Sequence, residues 1–214
     1  MDSKTECPPR GKFIVIEGGE GAGKTTVLQK LQAVLPSENY VFSREPGGTQ
    51  VAQGIRQLLL HSTVEMEVLT EFILFWASRA EHIGKIIRPA LLAGKHVICD
   101  RFDSSTFAYQ VEAREQQFLL SAFDGMQRLC CGEIRPDIYV YLDVDPQEGV
   151  RRALSRKGEE INHFDQKDLD FHLRVFRGYR RFFETHPHEV VDANRSPEEV
   201  LTDVLSVVTR VCAP

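Results

Sequence analysis

The chain has 214 residues, 42% of them hydrophobic, enough for one mid-sized domain with a large core, and a formal net charge of -5. That balance lacks the basic footprint selected by nucleic-acid polymers, and no apolar run is long enough to span a bilayer, so neither a polymer-binding nor a membrane-spanning protein is expected. The five cysteines (Cys7, Cys99, Cys130, Cys131, Cys212) show no C-x-x-C spacing and no signal-peptide core lies near the N-terminus, which points to reduced thiols in a cytoplasmic protein.

Residues 1–11, with Pro8-Pro9, read as a disordered tail and residues 12–214 as a single domain. The apolar run Phe13-Ile14-Val15-Ile16 stops at a glycine cluster, Gly18-Gly19-Glu20-Gly21-Ala22-Gly23-Lys24-Thr25-Thr26, and a helix-forming stretch follows over residues 27–35. Gly18, Gly23, Lys24 and Thr25 fit G-x-x-x-x-G-K-[ST] in the strand, loop, helix context of a phosphate-binding loop. Glycines there let backbone N–H groups converge on a polyphosphate, the helix presents its positive end, Lys24 reaches the outer phosphates, and the Thr25 hydroxyl suits Mg²⁺.

Residues 40–43 read as a short strand running into the loop Arg44-Glu45-Pro46-Gly47-Gly48-Thr49, with Thr49 placed to cap a helix over residues 51–61. A long helical region, residues 66–93, is expected to bend around Gly84 and Pro89, and its Phe72, Phe75 and Trp76 suit the core or a subunit contact. Residues 95–101 form an apolar strand ending in Asp100, a carboxylate placed either to organise Mg²⁺ beside the phosphate loop or to cap the next helix. Ser104, Ser105, Thr106 and Tyr109 open that helix on the same crevice.

A helix over residues 116–130, a strand over 138–143 and a helix begun by Asp145-Pro146, carrying Arg151, Arg152 and Arg156, come next. Polar residues 157–163 then read as a mobile segment, followed by a basic amphipathic helix over 169–183, a strand over 188–192 and a helix over 197–211 capped by Ser196. Five strands alternating with helices give an α/β fold: a three-layer P-loop NTPase with a central five-stranded parallel sheet, ligands at the strands' carboxyl ends and a short lid at about residues 152–166.

No N/T-K-x-D guanine-reading signature is present, and the length is small for a motor with accessory domains. Arginines in separate segments (Arg44, Arg79, Arg101 and the group at 151–156) supply a second anion site beside the loop, as a small-molecule kinase requires. Glu17 to Thr26, Arg44 to Thr49, Asp100-Arg101-Phe102 with Ser105-Thr106 and Tyr109-Gln110, Arg135-Pro136-Asp137 and Leu142 to Pro146 together resemble thymidylate kinases of the bacterial kind, in the right order over nearly the whole chain.

The resemblance implies transfer of the γ-phosphoryl group of ATP to dTMP with Mg²⁺, and a homodimer. It makes Lys24, Arg101, Arg156 and Glu20 catalytic, and Thr25 and Asp100 the metal residues. The donor would lie on Gly18, Gly19, Glu20, Gly21, Ala22, Gly23, Lys24, Thr25 and Thr26, with Arg152 and the adenine loop at Ala193. The acceptor would meet Glu20, Arg44, Pro46, Phe75, Arg79, Arg101, Ser105, Thr106, Tyr109 and Gln110. Gly21 stands where eukaryotic relatives carry an arginine, so the lid, at Arg156 with Arg152 close behind, would supply that charge. The chain departs from the family at Asn162-His163-Phe164-Asp165 in the lid and at Val111-Glu112-Ala113-Arg114 after Gln110. His163 reads as a solvated lid residue. The alternatives are another deoxynucleoside or nucleoside monophosphate kinase of the same fold, or a nucleotide-binding module impaired in catalysis.

Overall fold

The computed structural model describes residues 9–155 and 164–213. One sheet holds five parallel strands in the order β2-β3-β1-β4-β5: β1 Phe13–Glu17, β2 Tyr40–Arg44, β3 His96–Asp100, β4 Ile138–Asp143 and β5 His188–Asp192. All five residues of β1 are buried, which is why it reads as a continuous apolar run and why it sits at the centre. Alternate side chains enter opposite cores. Phe13 and Val15 pack with residues of α3 (Val68–His82), α4 (Arg88–Leu92), α6 (Gln117–Cys131) and α8 (Leu169–Phe183), whereas Ile14 and Ile16 pack with α1 (Lys24–Val34) and α9 (Pro197–Cys212). The remaining helices are α2 (Gln50–His61), α5 (Asp103–Thr106) and α7 (Pro146–Leu154).

Local signals hold well where they depend on neighbours in sequence. Thr49 caps α2 by accepting from the Ala52 N–H at 3.1 Å, and Ser196 forms a capping box with Glu199 at the start of α9. Helix α1 begins at Lys24, earlier than the stretch 27–35 suggests, because Gly23 takes a left-handed φ of 89° as its N-cap and brings the helix end up to the loop. The bend expected within residues 66–93 is a π-helical turn, Ile83–Ile87, after which Pro89 falls in the first turn of α4, where its missing N–H costs nothing. A second π-helical segment, Phe107–Glu112, follows α5.

Two expectations are sharpened by particular contacts. The tail expected through residue 11 ends earlier, since Arg10 pairs with Asp137 at 3.1 Å and the buried Gly11 donates its N–H to the Leu91 carbonyl at 2.9 Å. Phe72 and Trp76, read as core or subunit-contact rings, lie in the core, in one cluster with Phe13 and Val15 of β1, and Trp76 meets Phe123 of α6 edge-on at 5.3 Å. Arg156, His163 and most of the expected lid lie outside the described residues. Among the described residues no helix is long and apolar enough to cross a membrane.

Candidate active site

The loop from β1 to α1 approaches α7 so closely that no side chain fits at its middle. Gly21 has φ 69°, and a Cβ there would lie 2.0 Å from the Gly149 carbonyl oxygen. Lys24 folds back over the loop, its Nζ donating to the carbonyls of Gly18 and Gly19 at 2.9 Å each. Burial, with the neighbouring Arg101, pushes its pKa down to about 8. The ammonium is thus held by two weak acceptors at the mouth of the loop, where an anionic phosphate would be a stronger partner. Thr25 and Thr26 are exposed in the first turn of α1, and Ala22 is buried beneath the loop.

Opposite the loop stands the end of β3. Parallel pairing sets Asp100 level with Ile16 of β1 and Arg44 of β2, so three segments far apart in sequence reach one crevice. Asp100 does not cap α5, whose N-cap is Phe102. Its Oδ1 is buried without a hydrogen-bond partner among the described residues, and it shares a cavity of about 440 Å³ with Lys24 and Thr25. An orphaned carboxylate oxygen in one cavity with the Thr25 hydroxyl fits Mg²⁺, a hard cation that takes oxygen ligands.

Arg101 adopts φ 66°, a left-handed turn that carries its side chain from the end of β3 over the loop. The guanidinium donates to Glu20 Oε1 at 2.8 Å, to the Tyr179 hydroxyl at 2.9 Å and to Ser105 Oγ at 3.2 Å, and stacks 5.1 Å above the Tyr109 ring. Beneath it lies Glu17, fully buried, accepting from the Phe102 N–H, Ser104 Oγ, Ser105 Oγ and the Tyr179 hydroxyl at 2.6–2.9 Å. Burial raises the Glu17 pKa, and Arg101 opposes that rise. Sequence reasoning gave Glu17 and Tyr179 no role. The signal for Glu17 was a lone carboxylate closing an apolar strand.

Glu20, Arg44, Pro46, Phe75, Arg101, Ser105, Tyr109 and Gln110 line that same cavity, and the Tyr109 hydroxyl donates to Glu20 Oε1 at 2.9 Å. Of the residues expected against the acceptor, Arg79 and Thr106 are not in the cavity's lining and bond to each other. Arg79 is 2% exposed, with Nε on Glu45 Oε2 at 2.8 Å and Nη2 on Thr106 Oγ1 at 3.0 Å. A guanidinium inside α3 needs a counter-charge, and Glu45 supplies it. His82 donates from Nδ1 to the other oxygen of Glu45 at 2.9 Å, as the carboxylate dictates, and its Nε2 shares a hydrogen bond of 2.6 Å with Ser43 Oγ. Cavity residues that sequence reasoning missed include Gln53, Arg56 and Asp165. Arg56 donates to the Pro46 carbonyl at 2.9 Å, and nothing in a polar face of α2 marked it.

On the loop's other flank Arg152 and Ala193, both expected on the donor side, are in contact, Nη1 donating to the Ala193 carbonyl at 3.0 Å while Nε holds Glu148.

A family model described as thymidylate kinase matches residues 16–204. The thymidylate kinase of Shouchella clausii (strain KSM-K16) is 39% identical over 207 residues, spanning 94% of this chain and 96% of the relative. That of Synechococcus sp. (strain JA-3-3Ab) is 42% identical over 200 residues, spanning 92% and 94%. The crystal structure of thymidylate kinase from Ehrlichia chaffeensis superposes with a TM-score of 0.73 at 31% identity and covers 94% of this chain and all of that one. The phosphate loop, the converging strand ends and these likenesses agree: the chain belongs to the thymidylate kinase family.

Proposed function

We propose that the protein transfers the γ-phosphoryl group of ATP to dTMP, giving dTDP and ADP, in the cavity between the phosphate loop and the end of β3. The observation that carries this reading is a single cavity in which Lys24 and Thr25 face Arg44, Arg101 and Glu20, so that donor and acceptor phosphates meet end to end. Loop amides and Lys24 hold the donor phosphates; Arg152 and the Ala193 backbone border its adenosine end. Arg101 and Arg44 neutralise the acceptor phosphate, Glu20 stands by its sugar, and Phe75 and Gln110 flank its base.

Thr25 and Asp100 would hold Mg²⁺, which would neutralise charge developing on the transferring phosphoryl group. Arg156, four residues beyond Arg152 in sequence, supplies the further positive charge that Gly21 does not. Two copies form a homodimer, a reading supported by Leu69 and Ile73 of α3, which are 48% and 47% exposed on one helical face while Phe72 and Trp76 face inward. A reducing, cytoplasmic setting accords with free cysteines at 99, 130, 131 and 212.

Coupled ADP release with dTMP, dUMP, dCMP, dGMP and thymidine tests the reading. Turnover is expected with dTMP, more slowly with dUMP, since one buried methyl is worth about tenfold. Phosphorylation of thymidine in preference to dTMP, or turnover that ignores the base, would overturn it.

A further inference from the structure

Gln110 reaches the cavity from the π-helical segment Phe107–Glu112, and its amide is gripped from behind. Nε2 donates to Glu71 Oε1 at 3.1 Å, and Glu71 Oε2 accepts from Arg114 Nη2 at 2.7 Å. Glu71 lies on α3 one turn before Phe75 and is 3% exposed. A carboxylate paired with a guanidinium only accepts hydrogen bonds, so it dictates which way the amide faces. The NH₂ end must point to Glu71. The carbonyl Oε1, which accepts from no other described residue, is the end left for the cavity.

We propose that Glu71 and Arg114 are positioning residues that lock Gln110 with its carbonyl toward the acceptor base, so that the cavity selects a base offering a ring N–H and rejects one offering a lone pair there. Thymine and uracil carry a hydrogen on N3; cytosine carries a lone pair. With the amide locked, cytosine sets two acceptors against each other in a buried site, a mismatch worth about 10- to 100-fold. The proposal rests on the reading that the acceptor base lies against Gln110 and Phe75. It also gives Arg114 a purpose, in a segment otherwise unlike the usual glycine-rich turn.

The test is Glu71→Gln, whose amide can either donate or accept and so frees Gln110 to turn over. The ratio of kcat/KM for dTMP to that for dCMP is expected to fall at least about tenfold, through KM for dTMP and a gain with dCMP, with KM for ATP unchanged. The same substitution in a Gln110→Leu background should leave the ratio where Gln110→Leu alone sets it. If Glu71→Gln folds poorly beside an unpaired Arg114, the neutral double variant Glu71→Gln/Arg114→Gln takes its place. A folded variant with an unchanged ratio, or an equal loss in the Gln110→Leu background, overturns the proposal. A Gln110→Leu enzyme with an unaltered KM for dTMP would overturn the acceptor-site reading itself, and this inference with it.

Discussion

Lys24 is a nearly buried cation whose hydrogen-bond partners among the described residues are two carbonyls, an environment in which a triphosphate would be the stronger partner. With its pKa near 8, the residue loses its proton, and with it much of its hold on phosphate, within an accessible range. The affinity for ATP, followed by titration calorimetry, should therefore fall as pH rises through about 8, and the weak residual affinity of Lys24→Met should not follow pH in that range. Stability moves the other way. The unfolded chain keeps this proton up to the ordinary value of 10.5, so between about 8 and 10.5 it binds more protons than the folded one and the free protein gains stability as pH rises. Arg156→Ala is expected to lower kcat by about 10³-fold or more, the scale of an arginine that meets the transferring group, with dTMP affinity nearly intact. Single-turnover rates and equilibrium binding separate the two effects, and a variant retaining most of its kcat would remove Arg156 from the mechanism.

Helix α7 and the phosphate loop meet through two glycines. A Cβ at Gly149 would lie 2.5 Å from the Glu20 carbonyl oxygen, a backbone atom that cannot step aside. Gly149→Ala should therefore push α7 and the loop apart, at a cost of about 1–3 kcal/mol. Because α7 carries Arg152 and the loop carries the donor contacts, KM for ATP should rise as well. A thermal melt and steady-state kinetics on one variant check both, and an unchanged melt would deny the close contact. The same geometry explains why position 21 carries no arginine here: its Cβ would run into Gly149. Helix α8 contributes differently, reaching the site with the Tyr179 hydroxyl, which joins Glu17, Ser105 and Arg101.

Across the molecule, β1 sits between β3 and β4, and the chain crosses over it to build the second half of the sheet. Ligand crevices form where strand order reverses in this way, outside the carboxyl ends. The exposed pair Leu69 and Ile73 lies on the outer side of the helix whose inner side carries Phe72 and Trp76, so one helix serves both the core and the proposed contact between copies. Light scattering at micromolar concentration should report the mass of two chains, and Ile73→Glu should reduce it to one while leaving the far-ultraviolet circular dichroism unchanged. A wild-type mass of one chain would refute the dimer.

What a short run of residues fixes through its own backbone was legible from sequence: the phosphate loop, the Thr49 and Ser196 caps, the bounds of α8 (Leu169–Phe183) and the strands that end in Asp100 and Asp143. The partners of buried charges were not legible. That Arg79 answers to Glu45, that Glu17 underpins Arg101, and that Glu71 orients Gln110 depends on which side chains the strand register and helix packing bring within 3 Å or so. Nor do glycines and a proline alone announce two π-helical turns, of which the second brings Tyr109 and Gln110 to the cavity wall. Backbone motifs are local and sequence encodes them directly. The pairing of a buried ion is a property of the assembled interior, where the cost of leaving it alone selects whichever partner the fold places nearest.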